Sequence, residues 1–154
     1  MLSNRAWLPG TLLVSSLWLT ACQPALPPDQ RPAVTLPPLP GDVAQGKSLY
    51  ETECSKCHQT TPGQNRKGPQ LDRIYGAPAA LLKDYQSRYS AALKHSGWRW
   101  DAATLDRYLA HPEQALPHGK MLYDGLADAQ QRRDIIIYLS TLRAPDIPRP
   151  APQS

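Results

Sequence analysis

Five consecutive residues, Cys54, Ser55, Lys56, Cys57 and His58, constrain the fold more than any other part of the sequence. On a helix or a tight turn, Cys57 and His58 lie three and four positions after Cys54 and therefore share its face. Two thiols and an imidazole on one face can all touch a single flat object. Thiols at this spacing add across the two vinyl groups of a haem to form thioethers, while the imidazole reaches the iron from one side of the ring, the C-x-x-C-H attachment pattern. A chain that holds a haem in this way has to wrap around it.

Three other readings of the motif stay open. A zinc site needs four ligands, and the remaining candidates, Cys22, His95, His111 and His118, have no zinc spacing. A thioredoxin-like dithiol needs a βαβ setting, and strand-like alternation is missing. Two buried cysteines beside an incidental histidine are the plainest reading, because free cysteine is often a small core residue.

The ends of the 154-residue chain are not expected to be globular. Residues 1–21 carry Arg5, then the apolar run Leu-Leu-Val-Ser-Ser-Leu-Trp-Leu, and reach Cys22 through Leu19, Thr20 and Ala21. That is the layout of a secretory signal rather than a spanning helix, since Pro9, Gly10 and several Ser/Thr residues interrupt the run. Leu19 to Cys22 look like a bacterial lipobox, which implies that Cys22 becomes the acylated first residue of the mature protein. Residues 22–41 then form a linker, with seven prolines between positions 23 and 40, too poor in large aliphatics for a core and expected to be an extended spacer. Residues 144–154 repeat that composition and read as a disordered tail. One small domain is left, residues 42–143, whose modest apolar content a buried haem would supplement.

Charge excludes one class of partner. The formal net charge is +4, but residues 42–143 hold fourteen Lys/Arg against eleven Asp/Glu, with no basic run longer than two. This is an ordinary solvated surface and not a phosphate-binding stripe, so no nucleic-acid partner is expected.

The domain reads as helices without strands. The segment 41–58 opens with Asp42, has Gln45 as a capping-box partner, and lines one side with Val43, Leu49 and Tyr50. Gly46 inside it costs roughly 0.8–1.0 kcal/mol relative to alanine, and so marks a poor helix or a close backbone approach. A second helix follows Asp101, with Leu105, Tyr108 and Leu109 on one face and a stop at Pro112. A third starts near Asp128 with Gln131 as box partner and carries Ile135, Tyr138, Leu139 and Leu142 at helical spacing. Residues 79–95 show helical spacing too, through Leu81, Leu82, Tyr85, Tyr89 and Leu93. The fold class is therefore all-α, with long connections of the kind that wrap a cofactor.

An iron held by His58 has a second axial position, and its occupant decides between electron transfer, ligand binding and oxygen chemistry. Beyond the signal, Met121 is the only methionine, in a turn-rich stretch that could present a thioether from a loop. A gap-filling core methionine is the competing role, and His95, His111 and His118 are competing ligands.

Taken in order, Gly-Asp-Val-Ala-Gln-Gly-Lys-Ser-Leu-Tyr at 41–50, the Cys54–His58 motif, Lys-Gly-Pro-Gln-Leu at 67–71, Ile-Tyr-Gly at 74–76, Gly-Trp-Arg-Trp at 97–100, Tyr-Leu-Ala-His-Pro at 108–112, Leu-Pro-His-Gly-Lys-Met at 116–121 and Asp-Ile-Ile-Ile-Tyr-Leu at 134–139 resemble a class I cytochrome c of the mitochondrial-like branch. The resemblance implies the cytochrome c fold, a small helical domain around one covalently bound haem c, with His58 and Met121 as axial ligands of the iron. It implies that the Pro69 carbonyl meets the outer nitrogen of His58, that Tyr89 and Trp100 hydrogen-bond a propionate, and that Tyr108 lies near the Met121 sulfur. It also pairs Gly46 and Tyr50 with Ile135 and Tyr138 where the first and last helices touch. There are departures: Leu93 replaces a polar side chain near the haem, Gly119 replaces a threonine, and phenylalanine is absent. Ser48, Glu53, Glu113, Gln114, Ala127 and Asp128 stand where the branch has docking lysines.

The expectation from the whole is a lipid-anchored monohaem carrier, exported to the periplasmic or extracytoplasmic side of a bacterial membrane. It would pass single electrons between redox proteins such as a periplasmic dehydrogenase and a membrane oxidase or reductase, and would transform no substrate. Its rivals are a haem subunit of a larger dehydrogenase or oxidase complex, and a ligand-binding or peroxidatic protein with Met121 off the iron.

Overall fold

Each longer helix begins where an aspartate satisfies free backbone N–H groups. The computed structural model describes residues 41–142; the expected signal peptide, Cys22 with most of the linker, Arg143 and the tail lie outside the described residues. Helix α1, Val43–Leu49, is capped by the Asp42 carboxylate, which accepts from the N–H groups of Ala44 and Gln45. Helix α2, Ala91–His95, is capped by Ser90 and helix α3, Ala102–Ala110, by Asp101. Helix α4, Pro112–Ala115, restarts the chain with proline at its first turn, where a missing N–H costs nothing. Helix α5, Ala129–Thr141, is capped by Asp128. Among the described residues there is no strand, only an isolated bridge between Pro78 and Arg99.

Helices α1 and α5 pack most extensively, and α3 lies against α5. Gly46 sits at the α1–α5 crossing, where a Cβ would overlap the Asp134 carbonyl and crowd Cβ of Tyr138. The glycine thus serves close backbone approach, as expected, with Asp134 rather than Ile135 as its nearest neighbour. Ile135, 1% exposed, anchors a core that includes Tyr50, Trp100, Tyr108, Leu109 and Leu139.

Three local expectations need correction. Segment 41–58 is not one regular helix: α1 widens into a π-helical turn at Tyr50–Cys54, placing the wide turn directly before the cysteine motif. Residues 79–95 contain a 3₁₀ turn, Lys83–Tyr85, and α2 in place of one helix, and of their apolar side chains Tyr85 and Tyr89 are buried while Leu81 is exposed. The capping boxes are only half formed. The Asp42 N–H donates to the buried Asp134 carboxylate at 2.8 Å and not to Gln45, and Gln131 closes no box, since a tertiary partner is available at one end and solvent at the other.

Candidate functional site

The π-helical turn delivers Cys54, and the backbone then tightens: the N–H groups of Cys57 and His58 both donate to the Cys54 carbonyl at 3.0 Å. Both cysteines are partly buried and form no disulfide with each other. Before attachment, burial, with help from Glu53 and Cys57, pushes the Cys54 thiol up to about 12. Cys54 and Cys57, one turn apart, are the pair that thioether attachment requires.

The loop from Lys67 to Leu71 closes over His58. Gly68 N–H donates to the Cys57 carbonyl at 2.8 Å, Leu71 N–H to the Gln59 carbonyl at 2.7 Å, and the Tyr50 hydroxyl to the His58 carbonyl at 3.0 Å. His58 Nδ1 lies 2.7 Å from the Pro69 carbonyl oxygen. A carbonyl can only accept, so Nδ1 carries the proton and Nε2 keeps a free lone pair. Burial, opposed by the Pro69 contact, lowers the imidazole below its usual range and keeps it neutral. Gly68 lies flat against this ring, and any Cβ there would overlap it. Gly68 was not singled out from sequence; a glycine directly before the proline was the available signal.

Met121 comes from the long connection between α4 and α5. It is partly buried and packs on the same core as Cys54, Leu93, Trp100 and Tyr108. Its loop is pinned on both sides. Lys120 Nζ donates to the Arg88 carbonyl at 3.2 Å, Leu126 N–H to the Leu109 carbonyl at 2.9 Å, and Arg132 Nη1 to the carbonyls of Leu126 and Ala127 while Nε holds Asp106 at 2.8 Å. Gly125 has φ of +105°, and a side chain there would also meet the Ala110 carbonyl. His118 is exposed with φ of +62°.

Of the other expected residues, Trp100 and Tyr108 pack at a tilt of 54° with centroids 5.2 Å apart, and Tyr89 packs edge-on to Tyr85 at 5.0 Å. Burial, with Glu113 nearby, pushes the Tyr108 hydroxyl up to about 12. Tyr85 was missed as a support: its hydroxyl donates to the Lys67 carbonyl at 2.5 Å and so steadies the loop that carries Pro69. Among the described residues no group of three or more His, Cys, Asp or Glu is arranged to hold a metal ion by itself.

A haem bound through two thioethers needs paired thiols, a neutral imidazole with a free nitrogen beside them, and an apolar wall. Cys54, Cys57, His58 and the Trp100–Tyr108 cluster meet each requirement, so the residues fit the group. Fold and site together define a small all-α domain built to carry one covalently attached haem.

The comparisons agree. The cytochrome c family model matches residues 43–143. The chain is 40% identical over 104 residues to cytochrome c2 of Rhodopila globiformis, covering 68% of this chain and 96% of that protein. It is 36% identical over 106 residues to cytochrome c of Sesamum indicum, covering 68% and 94%. The solved structure of cytochrome cH from Methylobacterium extorquens aligns with a TM-score of 0.58 at 37% identity, over 66% of this chain and 99% of that one. The chain belongs to the cytochrome c family. It is a monohaem electron-transfer protein, not an enzyme, and its haem c is bound covalently through the cysteines of the C-x-x-C-H motif.

Proposed function

We propose that this protein is a lipid-anchored carrier that passes single electrons between periplasmic or membrane redox proteins, with His58 and Met121 as the two axial ligands. The observation that carries the reading is the His58 imidazole, neutral and with Nδ1 bonded to Pro69, which leaves Nε2 free beside Cys54 and Cys57. When bound, the haem supplies a one-electron iron couple.

The chain's own residues would set how that couple behaves. The Pro69 carbonyl fixes the ring orientation of His58 and raises its basicity as a ligand. The Met121 thioether, a soft and weak donor, favours the reduced iron and a raised potential. Trp100 and Tyr108, both buried, exclude water, and Tyr89 and Trp100 would hydrogen-bond the propionates. A pinned ligand loop and a dry wall change little between oxidation states, which suits outer-sphere transfer with no bond made or broken.

In this reading residues 1–21 are removed on export, Cys22 is acylated, residues 22–41 tether the domain of residues 42–143, and residues 144–154 trail from it. No helix among the described residues is long and apolar enough to cross a membrane, and in this reading the acyl chains on Cys22 provide the attachment. A redox titration of the full haem-loaded protein tests the carrier reading. The expected result is one reversible one-electron step with a six-coordinate, low-spin spectrum at both ends; a five-coordinate ferrous form would refute it.

A further inference from the structure

Resting on the carrier reading, we propose that Leu122, Tyr123, Asp124 and Glu53 form the docking face, and that it takes a redox protein whose own electron-exit face has a basic rim around an apolar recess.

Leu122 is 100% exposed, against 53% for Leu81 and 36% for Val43, the other exposed large hydrophobics of the described chain. It directly follows Met121. The next side chain, Tyr123, reaches back across seventy positions to place its hydroxyl 3.4 Å from Glu53 Oε2, the residue before Cys54. The face therefore spans the two segments that hold the cofactor from opposite sides. Asp124, exposed, follows Tyr123 directly, so two carboxylates flank the phenol along the chain and across it.

The charge on this face is unspent. Among the described residues, Glu53 and Asp124 pair with no cation, whereas the nearby Glu51 is held by Lys47 at 3.8 Å. Of the cations closest in sequence, Lys120 is turned to the Arg88 carbonyl, and Lys56 remains exposed between the cysteines. An exposed apolar centre with an acidic flank is suited to a partner of opposite charge: the carboxylates steer the encounter, and Leu122 supplies the dry contact that brings the centres close.

The experiment is stopped-flow oxidation of the full ferrous protein by two outer-sphere reagents. One is tris(1,10-phenanthroline)cobalt(III), a cation with apolar faces; the other is hexacyanoferrate(III), an anion. Glu53→Gln with Asp124→Asn is compared with Ala91→Lys with Ala103→Lys, which raises net charge equally from exposed positions on α2 and α3. At low ionic strength the carboxylate variant should lose roughly three- to tenfold in rate with the cobalt cation and gain with the anion. The difference should vanish near 1 M salt, where the screening length is about 3 Å. The lysine control should change either rate by less than about twofold. Leu122→Ser should slow the cobalt reaction even in high salt, with the haem spectrum unchanged.

Equal effects of the two charge variants would overturn the assignment. So would self-association of the wild type abolished by Leu122→Ser, which would put a second copy on the face. Failure of the wild type to exchange electrons with either reagent would instead bring down the carrier reading itself, and this inference with it.

Discussion

At the scale of single residues, the site depends on His58 being neutral and correctly turned, and two neighbours enforce this. Gly68 leaves room for the ring, and the Pro69 carbonyl selects its tautomer. Gly68→Ala should push the imidazole off its position and cost about 1–3 kcal/mol of stability, read from denaturant unfolding of the haem-loaded protein. Acid acts on the same atom. The folded value of His58 lies below its ordinary 6.5, so as pH falls the unfolded chain takes up this proton first. The stabilisation is whole above about 6.5 and is lost as pH falls through the depressed folded value. The denaturation midpoint should therefore drop as pH falls below about 6.5, further because proton and iron compete for Nε2. The motif residues were legible in sequence because their spacing is itself the chemistry. Pro69 came only through family resemblance, and Gly68 was not seen, since its reason lies in a ring ten positions away that packs on it in space.

At the scale of elements, helices with an aspartate cap and strong periodicity, α3 and α5, were legible almost to their ends. Segments bound for the cofactor were not. The π-helical turn and the coil between residues 79 and 90 are shaped by what they enclose, and spacing by itself cannot distinguish a side chain turned toward a haem from one turned toward a helix neighbour. The same holds for the Asp42 cap, whose second half is met by Asp134 from the far end of the domain. Gly125 ties the ligand loop to α3 by a backbone conformation and a close approach that no side chain tolerates. Gly125→Ala should loosen that loop while leaving both cysteines and His58 in place. The expected outcome is partial loss of Met121 from the iron, seen as a rise in high-spin absorption and in carbon monoxide uptake, with the haem still covalently attached.

At the scale of the whole molecule, composition sets the expectation of one domain, residues 42–143, between proline-rich ends. A linker of residues 22–41 in polyproline form would reach roughly 60 Å at about 3.1 Å per residue, enough for the domain to move between partners. Cys22→Ser should release a folded, haem-bearing protein from membranes; retention in the membrane fraction would contradict the lipid anchor. The partner surface was the least legible feature, because only the fold brings Glu53 to Tyr123 and leaves Leu122 uncovered. The claim on which the rest depends is that Met121 closes the iron opposite His58. Carbon monoxide binding to the ferrous protein tests it most directly. Wild type should bind slowly and incompletely at neutral pH, and Met121→Ala should bind rapidly and fully, with His118→Ala added to prevent recapture of the iron by that imidazole. Rapid, complete binding by the wild type, with no gain on removing Met121, would contradict the account.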